Sequence, residues 1–191
     1  HICLLNKFNV VAHHLLLVTR HYESQDTWLT AADFAALGRC LLEIDGLGFY
    51  NSGADAGASQ HHKHLQLIPF TPGQARPDLP ISNLIQAHTT WLQGHHYLPM
   101  LPFWHSIAPL AVPWRFASSD AIAHLLYKTY QQQMVHLGLP LDQSQPNAPY
   151  NLLVTREWMM AVRRSQGSFQ GIGVNALGYG GWLLVKSPDD L

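Results

Sequence analysis

Charge is what this sequence has least of. Asp, Glu, Lys and Arg make up 12% of the 191 residues and nearly cancel, leaving a formal net charge of −1; an average chain carries about 25%. So neutral a balance excludes a broad basic surface, and nucleic acid is not an expected partner. An anionic ligand would have to be held by local groups. No run approaches the roughly 20 apolar residues that span a bilayer, so no membrane partner is expected. No basic, then apolar, then small-residue signal opens the chain. Cysteine is scarce: Cys3 and Cys40 show neither metal-ligand nor redox spacing, which points to a reducing compartment, the cytoplasm. No internal repeat is evident. The first residue is His1, not Met, and residues 1–5 read as the inside of a strand, so a preceding N-terminal segment is expected.

Apolar residues, at 47%, are ordinary for a globular protein and sufficient for a single domain over 1–191. Residues 2–6 and 14–19 are short apolar runs that read as a strand pair, with Asn9 near the bend. After a polar connection over 20–30, Thr30 is a good N-cap with Asp33 at the capping-box position, and 31–42 has a helical pattern. Residues 47–51 re-enter a sheet, and 62–68 form a further strand closed by Pro69. Residues 71–80 are a loop, 81–93 a helix, and 97–114, with four prolines, mostly irregular. Ser118 or Ser119 caps a long helix over 120–137 that stops at Gly138. Residues 139–149 are a linker. Strands follow over 150–155 and 158–163, then a glycine-rich segment over 167–181 and a last apolar run over 182–186. Without regular β-α-β alternation, a doubly wound sheet is excluded. The expected class is α+β, a largely antiparallel sheet with flanking helices and a helical and loop insertion over 71–149.

Histidine is abundant, with thirteen residues, so roughly one His-x-His pair is expected by chance. The pair at His62 and His64 gains meaning from its company. Upstream, residues 51–60 are small, flexible and uncharged except for Asp55, and include Gly57, Ser59 and Gln60. Downstream stands Gln66. In a strand of period two, His62, His64, Gln66 and Ile68 share one face, while Lys63, Leu65 and Leu67 share the other. Two imidazoles and an amide after a loop of free N–H groups suit an anion and a nucleophile. Neutral imidazole is a competent nucleophile near neutral pH and a good leaving group once phosphorylated. The loop amides near Gly57 and Ser59 would cradle phosphate, with the Ser59 hydroxyl, the Gln60 amide and Asn51 as further donors. Gly53 and Ala54 read as a plain turn. His13 is read as structural, Lys63 as pointing away, and Trp158 and Met159 as packing. Arg163 and Arg164 are equally suited to meeting a phosphate and to a solvated face.

The sequence Gly57-Ala58-Ser59-Gln60-His61-His62-Lys63-His64-Leu65-Gln66 resembles the signature of the histidine-triad (HIT-like) superfamily. Within it, the resemblance is to diadenosine tetraphosphate phosphorylases, also called ATP adenylyltransferases. Gln66 replaces the third histidine of the hydrolases, as in the nucleotidyltransferase branches. His61 stands where members often have Pro, and Trp104, in Pro102-Phe103-Trp104-His105, where they usually have Lys. Residues 2–20 and 150–186 also match; 71–149 match weakly. The resemblance implies a HIT-like fold in which His64 attacks the α-phosphate of a dinucleoside polyphosphate. ATP leaves, and inorganic phosphate takes the nucleotide from the imidazole to give ADP. It also implies that the His62 carbonyl fixes the tautomer of His64, that Asn6 contacts ribose, and that His14 lies beside the nucleophile. Gln66 donates to a phosphoryl oxygen but cannot titrate, which suits transfer to phosphate better than to water.

A divalent cation, Mg²⁺ first, is expected to arrive on substrate phosphates, because no carboxylate cluster near the site would cage it. Three other readings stay open: a hexose-1-phosphate nucleotidyltransferase, whose histidines usually flank Pro where Lys63 stands; a non-catalytic nucleotide-binding domain; and a metal site on His62 and His64, which would need a third ligand.

Overall fold

The structure, a computed structural model, describes residues 1–8, 11–70, 79–88, 90–92 and 95–182. Nine strands form one sheet: β1 (Ile2–Leu5), β2 (Leu15–Val18), β3 (Gly46–Asn51), β4 (His64–Pro69), β5 (Thr90–Leu92), β6 (His95–Tyr97), β7 (His105–Pro109), β8 (Tyr150–Val154) and β9 (Trp158–Arg163). Their order is β1-β2-β4-β3-β8-β9-β7-β6-β5, and every neighbouring pair is antiparallel. A separate hairpin pairs β10 (Ser168–Phe169) with β11 (Ile172–Gly173). The helices are α1 (Ala31–Glu43), α2 (Pro80–His88), α3 (Ser119–His136) and α4 (Ala176–Gly180). The class is α+β with a largely antiparallel sheet, as expected.

Both faces of the sheet are covered, and strand alternation divides them. Leu65 and Leu67 of β4, Tyr50 of β3, Leu152 and Val154 of β8, and Met159 and Ala161 of β9 pack against α1 and α3, through Phe34, Leu37, Leu41, Ile122, Leu126, Tyr130 and Met134. Leu47 and Phe49, Ile68, Leu153, Trp158, Met160 and Val162 point the other way, toward α2 and α4. The start of α1 is set by its full capping box: Thr30 accepts from the Asp33 amide, and the Asp33 carboxylate accepts from the Thr30 amide at 2.7 Å. Trp158 and Met159 are packing residues.

Several expectations need correction. Residues 97–114 are mostly irregular, as expected, but they also hold a strand that was not expected, β7, paired to β9 along its whole length. The prolines permit this because Pro99, Pro102 and Pro113 lie outside the strand and Pro109 is its last residue, where a ladder N–H is dispensable. The segment 71–149 is therefore not only helix and loop; β5, β6 and β7 extend the sheet. The helix expected over 81–93 ends at His88, and 90–92 is strand. The histidine strand begins at His64, not His62, which makes only an isolated bridge to Ser24. The glycine-rich 167–181 holds β10, β11 and α4. Asn9, residues 71–78 of the expected loop, and 183–186 lie outside the described residues. The free thiols Cys3 and Cys40, unlinked by sequence spacing, come together between β1 and α1; burial and the Cys3 thiol push Cys40 up to about 11.

Candidate active site

Directly paired residues of antiparallel strands present their side chains on the same face. Leu4, Leu16, Gln66 and Phe49 are consecutive partners across β1, β2, β4 and β3, so they form one row on the α4 side of the sheet. His64, two residues before Gln66, shares that face. These side chains floor a cavity of about 460 Å³, closed by Asn6, Lys7 and Phe8 from the turn after β1, by Gly57, Ser59 and Gln60 from the loop after β3, and by Asn175 and Leu177 at α4. The structure thus brings together Asn6, His14, Asn51, Gly57, Ser59, Gln60, His64 and Gln66.

His64 is held in one tautomer. Its Nδ1–H donates to the His62 carbonyl at 2.8 Å; a carbonyl can only accept, so the Nε2 lone pair is free. Burial holds its pKa below the usual 6.5, with the His62 imidazole adding to the effect and the His62 carbonyl opposing both. His105 has the same Nδ1 arrangement, to the Phe103 carbonyl at 2.8 Å, but its Nε2 accepts the Leu98 amide at 2.8 Å. That imidazole is a structural brace, which settles the role of the 102–105 segment in this chain.

His62 itself departs from the expected face. Because the ladder has not yet begun, its ring turns to the 19–22 loop, where Nε2 lies 3.0 Å from Thr19 Oγ1 and 3.2 Å from the His21 carbonyl. Of its groups, the carbonyl is the one that bonds His64.

Asn51 is buried, and its Oδ1 accepts both Asn151 Nδ2 (2.8 Å) and the Ala176 amide (2.9 Å). What it can offer a ligand is its amide hydrogens. Gly57 has φ 89°, and a Cβ there would lie 2.7 Å from Asn175 Cβ, so only glycine fits. Its own N–H is occupied by the Ala54 carbonyl, and that of Ala58 by Gly53. The amide cradle expected at Gly57 is therefore corrected: the N–H groups left for an anion are those of Ser59 and Gln60. Gly53 and Ala54 line a different hollow, with Asp26 and Asp55. Arg164 is not among the described residues lining the cavity at His64. It is buried, bonding Asn151 Oδ1 and the Val174 carbonyl at 2.7 Å each, and so braces the loop through Asn151 and the Ala56 carbonyl. Arg163 caps the end of α3 at the Leu137 and Gly138 carbonyls.

Sequence reading missed Gln25. Beyond the Phe49–Gln66 pair, β3 and β4 diverge, so His64 and Asn51 keep their partners Val18 and Asn151 on the outer sides but lose the ladder between β3 and β4. The buried Gln25 amide fills the gap: Oε1 accepts the His64 amide at 2.8 Å, and Nε2 donates to the carbonyls of Asn51 (2.8 Å) and His64 (3.2 Å). One side chain replaces a missing strand, where an unpaired N–H would cost about 1–3 kcal/mol. Nothing in its polar surroundings marks it in sequence. Lys7, the one cationic side chain among the described residues lining the cavity, was missed as well. Among the described residues, the cavity lining includes no carboxylate, and no group of three His, Cys, Asp or Glu side chains is placed to hold a metal ion. No described helix is long and apolar enough to cross a membrane.

Burial also lowers the pKa of His14, His96 and His105. In the folded state these rings and His64 bind a proton less readily than in the unfolded chain. Their stabilising contribution is therefore present above pH 6.5 and lost as pH falls through the folded values. The urea midpoint should drop below pH 6.5, and the acid limb of any reaction at His64 should lie below 6.5. A limb above that value would contradict the burial of the neutral ring.

Two family models match: the Ap4A phosphorylase N-terminal domain over residues 1–87 and the ATP adenylyltransferase C-terminal domain over 99–191. Diadenosine 5',5'''-P1,P4-tetraphosphate phosphorylase 2 of Saccharomyces cerevisiae is 30% identical over 98% of this chain and 63% of its own length. The crystal structure of yeast Ap4A phosphorylase Apa2 in complex with Ap4A superposes with a TM-score of 0.75 at 26% identity, over 98% of this chain and 66% of that one. A uridylyltransferase structure, at 12% identity and a TM-score of 0.56 over 97% of this chain and 80% of that one, shows the fold alone. The chain spans less than two thirds of the length of the curated relatives it matches. Matched in order by both domain models, the chain belongs to the Ap4A phosphorylase family.

Proposed function

We propose that this site phosphorolyses diadenosine tetraphosphate through a nucleotidyl-histidine. The observation that carries the reading is the His64 imidazole, fixed at Nδ1 by the His62 carbonyl with Nε2 free at the cavity. Nε2 attacks the α-phosphorus, the P–N bond forms, the P–O bond to the remaining polyphosphate breaks, and ATP departs. Phosphate then attacks the same phosphorus, ADP leaves, and the imidazole lone pair is restored. Gln66, Asn51, Ser59 and Gln60 donate to phosphoryl oxygens. Asn6 and the apolar residues Leu4, Leu16 and Ile68 receive the nucleoside. Mg²⁺ fits as a partner of the substrate phosphates, since the described lining residues offer neutral oxygen donors and no carboxylate. The relatives' printed names, an Ap4A phosphorylase and its complexes with Ap4A and AMP, support the substrate. The two free thiols support a cytoplasmic setting.

The test is direct. With Ap4A, phosphate and Mg²⁺, chromatography should show ATP and ADP in equal amounts. AMP with ATP, or turnover only of a nucleotide sugar, would reject the reading. Gln66→His supplies a titratable group at the acceptor side and should raise the share of AMP released to water. An unchanged product ratio would remove Gln66 from control of the acceptor.

A further inference from the structure

Gln66 has two chemically opposite ends, and only the NH₂ end suits a phosphoryl oxygen. Something has to choose between them. We infer that His14 is a positioning residue whose Nε2–H holds the Gln66 carbonyl, turning the Gln66 NH₂ toward the phosphate. The inference rests on the reading of the site proposed above.

The Phe8 amide is a donor that admits no ambiguity. The Phe8 backbone N–H bonds the Asn6 side chain at 3.0 Å, so the atom it meets is the Asn6 oxygen. The other end of that amide is therefore NH₂, which can only donate, and it lies 3.3 Å from His14 Nδ1. His14 Nδ1 must then carry the lone pair, and a neutral ring places its proton on Nε2. Asn6 is itself fixed, because its backbone N–H donates to the His14 carbonyl at 2.8 Å.

His14 is 6% exposed, lines the cavity, and has no partner for Nε2 at hydrogen-bonding distance among the described residues. Gln66 is its neighbour: it pairs across the ladder with Leu16, two residues on from His14, and both side chains line the cavity. A buried unpaired N–H is unfavourable, and the Gln66 carbonyl, in the same cavity, is the acceptor we assign to it. Burial and the neighbouring His64 both keep the ring neutral, with Gln66 opposing them. The two imidazoles thus carry opposite tautomers. His64 presents a lone pair for the phosphorus, and His14 presents a proton to the carbonyl of the amide whose NH₂ donates to the phosphoryl oxygen.

Histidine ¹⁵N NMR at pH 8, on unliganded protein, reads the tautomer directly. The expected result is a protonated Nε2 and a pyridine-like Nδ1 on His14. A proton on Nδ1 would overturn the inference. Kinetics provides a second arm. His14→Phe keeps a ring of similar shape and removes the donor, so kcat should fall about fivefold to tenfold with KM little changed, as for one lost orienting hydrogen bond. His14→Gln places an N–H near the position of Nε2 and should restore most of the rate. A packing role predicts the reverse order, with Phe better than Gln, and that result would also overturn it. The two readings fail separately. A wild-type protein that traps no nucleotide contradicts the reaction but leaves the tautomer result standing, whereas an Nδ1–H tautomer leaves an adduct on His64 untouched.

Discussion

His64→Ala is expected to lower Ap4A turnover by about 10⁴–10⁶-fold, since removing a nucleophile removes the covalent route altogether. The substitution should leave the fold intact. The His64 ring lines a cavity, and among the described residues its one hydrogen-bond partner is the His62 carbonyl, worth about 1 kcal/mol. Circular dichroism and the urea midpoint should stay near those of the wild type. Turnover within tenfold of wild type, in a folded variant, would take His64 out of the reaction.

Lys63→Met should have the largest effect on stability. Lys63 stands between the two histidines but faces the opposite side of the sheet, where it is 0% exposed. Its Nζ lies 2.8 Å from Asp33 Oδ2, 2.7 Å from the Trp28 carbonyl and 3.1 Å from Glu23 Oε2. Asp33 is 1% exposed and also caps α1, with His1 Nε2 at 2.7 Å from its other oxygen. Methionine would fill the volume but leave the Asp33 charge without its lysine, a loss of about 3–5 kcal/mol for a broken buried pair. Urea unfolding measures it. Adding Asp33→Asn to Lys63→Met should recover part of the loss, because the stranded charge goes with it. A Lys63→Met protein within about 0.5 kcal/mol of wild type, the range of surface substitutions, would show that the pair is effectively solvated. Because Lys63 anchors the backbone between His62 and His64, the same variant should also slow the reaction at His64.

What could be read from the sequence was what local pattern encodes. Thr30 and Asp33 announced α1, Ser118 announced α3, and the alternation of residues 64–68 placed His64 and Gln66 on one face with Leu65 and Leu67 on the other. The pairing of residues 2–5 with 15–18 followed from two apolar runs and a short connection. Contacts between distant segments were not legible. β7 was hidden by flanking prolines, because its pairing with β9 depends on a partner some fifty residues later. His62 was assigned to the site face because alternation was carried back past Lys63, where the chain has already left the ladder to meet Thr19. Gln25 looks like any polar loop residue until the divergence of β3 from β4 creates the gap it fills. Gly57 was identified for the right loop but the wrong reason: its amide is bound within the turn, and its function is to let that turn approach Asn175.

The most direct test of the central claim is a trapping experiment. The intact protein is incubated with Ap4A and Mg²⁺ without phosphate, digested, and mapped by mass spectrometry. The account predicts one adenylyl group per chain, on the peptide containing His64, labile to acid, stable to base, and released as ADP when phosphate is added. An adduct on Ser59, or tight nucleotide binding with no adduct at all, would contradict it.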